Sequence, residues 1–275
     1  MVPNKNPVAF LLLTLLALTA TPGSAGAAAD MNAELATAAE NGDLQKIESL
    51  INAKADVNTK TPAGATVLML AVKHPQIVKT FIDAGADVNA ENFKGGTALM
   101  YAVEQNTPES IRYLITAGAK INHVSAEGVT PLLITANAGT YWLAELLLDS
   151  GADIELAGPN GVSALNYAAG STYQNPDVAA NNLRLIHLLV KRGAKINSQD
   201  SAGETPLMSA AKICSEINIG VLLQYNASLD LKNTAGRTAF DLACTFPAAD
   251  QWDEKIRKRI QRKLAVKASP PKKEE

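Results

Sequence analysis

The side chains that could carry out chemistry are few and far apart. There are three histidines, His74, His123 and His187, and no pair of them has the H-x-x-x-H spacing that puts two imidazoles on one metal. Each reads as an ordinary surface or helix residue. Hydroxyls recur at Thr66, Thr97, Thr130, Ser163, Thr205 and Thr238, and carboxylates recur at Asp87 and Asp153. A nucleophile is set apart by its surroundings, whereas these residues come back at regular intervals with the same neighbours. The "GGT" at Gly95–Thr97 lacks the further glycine and the Lys-Ser/Thr pair of a phosphate cradle. The sequence therefore implies no catalytic centre, no metal site and no cofactor. Two cysteines remain, Cys214 and Cys244.

What recurs belongs to the elements. "KADVN" (Lys54–Asn58), "GADVN" (Gly85–Asn89), "GAKIN" (Gly118–Asn122), "GADIE" (Gly151–Glu155), "GAKIN" (Gly193–Asn197) and "NASLD" (Asn226–Asp230) are copies of one pentapeptide. Successive copies begin 31, 33, 33, 42 and 33 residues apart. A second motif keeps step with the first: "GATVLMLA" from Gly64, "GGTALMYA" from Gly95, "GVTPLLIT" from Gly128, "GVSALNYA" from Gly161, "GETPLMSA" from Gly203 and "GRTAFDLA" from Gly236. Its Thr or Ser stands where a helix starts and can accept from first-turn N–H groups. Pro131 and Pro206 follow at the first helical position, where a missing N–H costs nothing. Ala71, Ala102, Ala168, Ala210 and Ala243 are small enough for close helix contact. A second helix follows, with apolar residues such as Val78 and Phe81, or Ile111 and Leu114, on one face. The pentapeptide glycine then stops it. One such pair cannot bury its own apolar face, so the pairs must stack.

A period of 33 carrying these two motifs resembles the ankyrin repeat, over about Asn32 to Leu264. The resemblance implies an all-α ankyrin-repeat solenoid of about seven helix-turn-helix repeats with hairpin-like loops. It also implies a non-catalytic scaffold that binds an unidentified protein partner, as a monomer and without nucleic acid. Such proteins bind through loop tips and the exposed side of the first helices. Those positions include Lys73, Phe93, Lys94, Glu104, Gln105, Glu127, Asn137, Glu204 and Lys212. Two alternatives stand beside the general scaffold: a specific inhibitor or immunity protein for an enzyme, and an envelope-stress protective protein. The family's "T-P-L-H" histidine, which ties adjacent loops, is replaced by Met69, Met100, Leu133, Asn166, Met208 and Asp241, which puts loop rigidity in question.

Residues 1–27 read differently. Lys5 precedes an apolar run of 13 residues, Val8–Ala20, and "AGA" at Ala25–Ala27 follows. This is the pattern of a cleaved signal peptide, too short for the roughly 20 residues of a spanning helix. Cleavage after Ala27 would leave no stable membrane anchor and place the protein in the bacterial periplasm or outside the cell. The expected order is then an N-terminal linker and capping repeat at 28–58, repeats at 59–235, a C-terminal capping repeat at 236–266 and a disordered tail at 267–275. The capping repeat should hold a second helix at Gln251–Leu264, with Trp252, Ile256, Ile260 and Leu264 on one face.

Three features break the repeat. The fifth carries nine extra residues within "GSTYQNPDVAANN", Gly170–Asn182, expected as a long turn. Tyr173 is its one large side chain, and Tyr141 and Trp142 are expected in the corresponding turn of the preceding repeat. Candidate protein-binding residues are therefore Phe93, Lys94, Glu104, Tyr141, Trp142 and Tyr173, with local packing as the alternative reading of the aromatic residues. Cys214 follows the first helix of the sixth repeat, and Cys244 falls in the first helix of the seventh. In an oxidising compartment they form either one disulfide or two buried thiols.

Overall fold

Each first helix begins where a hydroxyl supplies the acceptor that its first turn lacks. A computed structural model describes residues 27–171, 176–245 and 254–268 of the 275. The expected leader up to residue 26, Tyr173, Trp252 and the tail from residue 269 lie outside the described residues. The chain divides into two compact units, residues 1–134 and 135–275.

In the first unit, α1 (Ala27–Asn41) and α2 (Leu44–Asn52) form the first pair. The second pair is α3 (Val67–Leu70), prolonged by a tighter turn over Ala71–Lys73, with α4 (Pro75–Asp83). The third is α5 (Ala98–Glu104) with α6 (Pro108–Thr116). Thr66 Oγ1 accepts from Met69 N, and Thr97 Oγ1 from Met100 N. First helices pack on first helices, α1 on α3 and α3 on α5; second helices pack on second helices, α2 on α4 and α4 on α6. Ala71 and Ala102 sit between them with 0% exposure. A larger side chain at either would push apart two helices already in contact.

The unit boundary falls inside α7 (Pro131–Ala138). The second unit continues with α8 (Tyr141–Asp149), the pair α9 (Ala164–Ala169) and α10 (Pro176–Lys191), the pair α11 (Pro206–Lys212) and α12 (Glu216–Gln224), and finally α13 (Glu254–Ala268). Caps repeat here: Ser163 Oγ accepts from Asn166 N, and Thr205 Oγ1 from Met208 N. Layering repeats too, with α9 on α11, α8 on α10 and α10 on α12.

Between pairs the chain makes a hairpin closed by two backbone bonds. In the third repeat these run from Asn92 N to Gly96 O and from Gly95 N to Asn92 O; in the sixth, from Asp200 N to Glu204 O and from Gly203 N to Asp200 O. Gly95 takes φ +70, and a Cβ on it would lie 2.7 Å from Ala126 N, so the next hairpin leaves room only for hydrogen. That approach lets Ala126 N donate to Lys94 O.

The pentapeptide is a connector as well as a stop. Gly85 ends α4 at φ +88, in the left-handed region glycine reaches without strain. Asp87 Oδ1 then accepts from Asn89 N. Asn89 carries the link onward: its Oδ1 accepts from Lys120 N and its Nδ2 donates to Gly118 O, both in the next copy. Asn58 reaches the copy after it in the same way, with Oδ1 accepting from Asp87 N. In the second unit Asn197 Oδ1 accepts from Ser228 N, and Glu155 Oε1 accepts from Lys195 N.

Three expectations change. The insertion of the fifth repeat is largely helix: α10 has 16 residues where α2, α4, α6, α8 and α12 have 9 each. Pro176 opens it, Asp177 favours its positive end, and Ala179 and Ala180 have high helix propensity. Asn182 Nδ2, buried, then donates to Ala168 O and fixes the added turns to α9. The first helix of the seventh repeat is absent: residues 239–244 form successive turns, so Cys244 lies in a turn. There Thr238 N and Oγ1 donate to Asp241 Oδ2, and Asp241 N donates back to Thr238 Oγ1, so the cap bond persists without a regular helix behind it. The last helix starts at Glu254 and runs to Ala268, through the start of the expected tail, with Ile260 and Leu264 buried and the side chain of Ile256 outside the description.

Replacing Asn89 with Ala removes a donor and an acceptor that join two repeats. We expect a loss of about 1–3 kcal/mol in urea denaturation, with Asn89→Asp intermediate because it keeps only the acceptor.

Candidate protein-interaction surface

The polar residues that recur are engaged by the fold, so a site must be sought among those that do not recur. Phe93 is the plainest case. It stands at the tip of the hairpin that opens the third repeat, with 78% of its surface exposed. One face of the ring lies over Gly64, where a Cβ would come within 2.8 Å of Phe93 Cγ. The hairpin below is held firmly. Asn92 Oδ1 accepts from Lys94 N and Gly96 N, and Asn92 Nδ2 donates to Tyr101 Oη at 2.7 Å. Lys60 Nζ donates to Glu91 O from the hairpin before. Phe93 is thus an apolar side chain on a backbone that has little freedom to move.

Lys94 projects beside it, with its ammonium 3.9 Å from Glu127 Oε1. On the same hairpin Gly95 O lies 2.8 Å from His123 Nε2, which is also 3.8 Å from Glu91 Oε1. His123 is therefore a tie between hairpins and not a plain surface residue. It supplies, from the loop, the fastening that the missing helix histidine would give. His187 has a partner too, Tyr225 Oη at 2.8 Å from Nδ1. Neither role was visible in the sequence, because each depends on a residue 28 or 38 positions away.

Glu104, the last residue of α5, is half-buried, and its Oε2 is closed to water with no donor among the described residues. Burial alone pushes its carboxyl up to about 7. Glu204 and Lys212, on the corresponding side of the sixth repeat, differ: Lys212 Nζ bonds both oxygens of Glu204, at 3.0 and 2.8 Å. That pair satisfies itself.

Tyr141 and Trp142 are the first residues of α8 and not a turn. Tyr141 Oη donates to Glu145 Oε2 at 3.0 Å, a bond that raises the phenol's pKa. Trp142 is 36% exposed. With Tyr173 outside the described residues, the expected grouping of all three is not described. Of the other candidates, Phe93 and Lys94 share one hairpin of the first unit, and Glu104 ends the helix that follows it.

The position of the lost histidine has been refilled. Met69, Met100, Leu133 and Met208 are buried there. Asn166 does more: its Nδ2 donates to Glu204 O of the next hairpin, while Ser163 Oγ donates to its Oδ1 at 2.6 Å. Loop ties thus persist in different chemistry.

A family profile described as "Ankyrin repeats (3 copies)" matches residues 35–125 and 177–250, more than half of the chain. The chain belongs to the ankyrin repeat family. Among curated relatives, human Ankyrin repeat domain-containing protein 37 is 45% identical over 60 residues, and its bovine counterpart 43% over 60 residues. These matches span 21% of this chain and 38% of each relative's length. Among solved structures, the ankyrin repeat domain of human ASB11 superposes with a TM-score of 0.69 at 24% identity, over 86% of this chain and 98% of that one. The ankyrin repeat domain of Bcl-3, described as a unique member of the IkappaB protein family, gives 0.67 at 26% identity, over 83% and 97%. The fold class is thus an ankyrin-repeat solenoid. Ankyrin repeats are generally protein–protein interaction scaffolds, and they are typically non-enzymatic.

The Glu104 carboxyl gives a pH signature. Its folded pKa of about 7 lies above the ordinary 4.5. Below the ordinary value it is protonated in both states and carries no penalty. As pH rises, the unfolded chain loses this proton first, so folding loses stability until about pH 7. Glu104→Gln should leave stability unchanged near pH 4 and raise it by on the order of 1–2 kcal/mol above pH 7, after allowance for partial solvent exposure. Denaturant midpoints at the two pH values measure this.

Proposed function

We propose that this ankyrin-repeat chain is an exported, non-catalytic scaffold that binds a protein partner through the hairpin tips and first-helix faces of its first unit. The observation that carries this reading is Phe93: a large apolar side chain, 78% exposed, on a hairpin held by its own Asn and by both neighbours. Exposed aromatic groups on rigid supports lose little entropy on docking and commonly anchor interfaces. Lys94 and Glu127 flank it and provide the polar rim such anchors have.

Two features support export. The first 27 residues have the basic, apolar and small-residue order of a secretory leader. Cys214 and Cys244 are joined in a disulfide, with Cα atoms 4.7 Å apart, and such bridges persist in oxidising compartments. The bacterial periplasm is the compartment that best fits a leader of this length.

Expression of the full chain followed by fractionation and intact-mass measurement tests the export reading. The expected product begins at Ala28, appears in the periplasmic or secreted fraction and has no free thiol. A full-length, doubly reduced product in the cytosol would overturn it. For binding, the full chain and Phe93→Ala are used in parallel for affinity capture from the same extract. The variant should fold normally, because an exposed ring contributes within about 0.5 kcal/mol. A partner retained by the parent and lost by the variant is expected; identical capture by both would sink the role of Phe93.

A further inference from the structure

The last helix differs from the others in charge. The chain has 25 Lys and Arg and 27 Asp and Glu. Seven of the bases and one of the acids lie in α13, which therefore carries +6, while the rest of the chain, with 18 bases against 26 acids, carries −8. The second helices α2, α4, α6, α8, α10 and α12 each carry between −2 and +1. An end helix needs a polar outer face, and Glu, Gln or Ser would supply one. A strongly basic helix meets a different need, because like charges four residues apart, as at Lys258 and Arg262, weaken it. Glu254, its one acid, answers Lys258, 3.7 Å from the ammonium.

The packing decides which way this helix faces. Ile260 and Leu264 are buried. Lys263 Nζ donates to Glu216 O at 3.2 Å and lies 3.9 Å from Glu216 Oε1, which ties α13 to the start of α12. Glu254, Lys258, Arg262 and Ala265 are then turned outward, all exposed, as a stripe along one face. The stripe runs for about 16 Å at the rise of an α-helix. Arg262 has no acid partner among the described residues.

We propose that α13 is a peripheral docking surface for an anionic phospholipid bilayer. Charge complementarity selects this occupant. A bilayer spreads its phosphates over a breadth that a stripe of this length meets at several points at once, and each Lys or Arg held near such a surface strengthens binding about fivefold. Ile260 and Leu264, which would let a helix sink among acyl chains, are buried in the protein, so contact stays at the headgroups. Attachment is then reversible and weakened by salt. It suits a chain in which no helix among the described residues is long and apolar enough to cross a membrane. The choice of lipid over nucleic acid rests on the export reading above, since an exported chain works beside membranes and away from the genome.

Sedimentation of the full chain with vesicles tests the inference. One set is phosphatidylcholine alone, and the other is phosphatidylcholine and phosphatidylglycerol in equal parts. Residues 1–27 can enter any bilayer by their apolar run, so the readout is the difference between the two sets. Binding to the anionic vesicles should be the stronger, and the difference should shrink as salt rises. Lys258→Gln combined with Arg262→Gln should weaken the anionic-specific binding at least about tenfold, whereas Lys258→Arg with Arg262→Lys should keep it. Lys120→Gln with Lys232→Gln removes the same charge from exposed positions elsewhere and should bind like the parent. Duplex DNA is measured at the same salt. No difference between the vesicles, equal binding by the first variant, an equal loss in the Lys120 and Lys232 control, or tighter binding to DNA would each overturn the inference. None of these outcomes decides the hairpin-tip or export readings, which the capture and fractionation experiments test separately.

Discussion

A helix of four to nine residues is almost all ends, and every end leaves backbone N–H or C=O groups without a partner in the helix. Ten of the thirteen described α-helices are of this kind, so the structure depends on where those groups find partners. Hydroxyls from the preceding loop meet the N–H groups: Thr66, Thr97 and Thr130 in the first unit, Ser163 and Thr205 in the second. The carbonyls are met from a neighbouring helix. Ser110 in α6, buried, donates to Val72 O of the repeat before, and Asn218 in α12 donates to Ala169 O. Each repeat thus finishes the hydrogen bonding of another, and the apolar contacts between alanine-faced helices follow from the same closeness.

This dependence separates what could be read in the sequence from what could not. The hydroxyl caps, the helix-ending glycines and the small residues between helices are local in the chain, and each recurs, so their places were legible. The ties were not. Ser110 and Val72 are 38 residues apart, and Asn218 and Ala169 are 49 apart, at positions the repeat does not mark. His123 was invisible as a fastening for the same reason. The insertion was misread because its asparagines and proline suggested a turn. Proline at a helix start and one buried asparagine bond suit a helix extension just as well, and only the contact with Ala168 distinguishes the two.

The candidate surface divides in the same way. Phe93 was legible because an aromatic residue at a hairpin tip has nowhere to hide. Glu104 was named from its place in the repeat, but its unmet oxygen is a property of packing that no spacing conveys. Tyr141 was assigned to a turn because the break between the two helices of its repeat is only two residues, Gly139 and Thr140, and the second helix starts at once.

The bridge between Cys214 and Cys244 has a further consequence. Stacked repeats come apart one step at a time, from whichever end is weaker. Residues 239–244 have no regular helix to hold them, yet the bridge closes a loop of 30 residues around α12, a constraint worth about 3–4 kcal/mol against opening. Cys244 N also donates to Ala211 O, three residues before the loop begins. While the bridge is intact, unravelling from the C-terminal side that has passed α13 still meets a covalent cross-link between the sixth and seventh repeats.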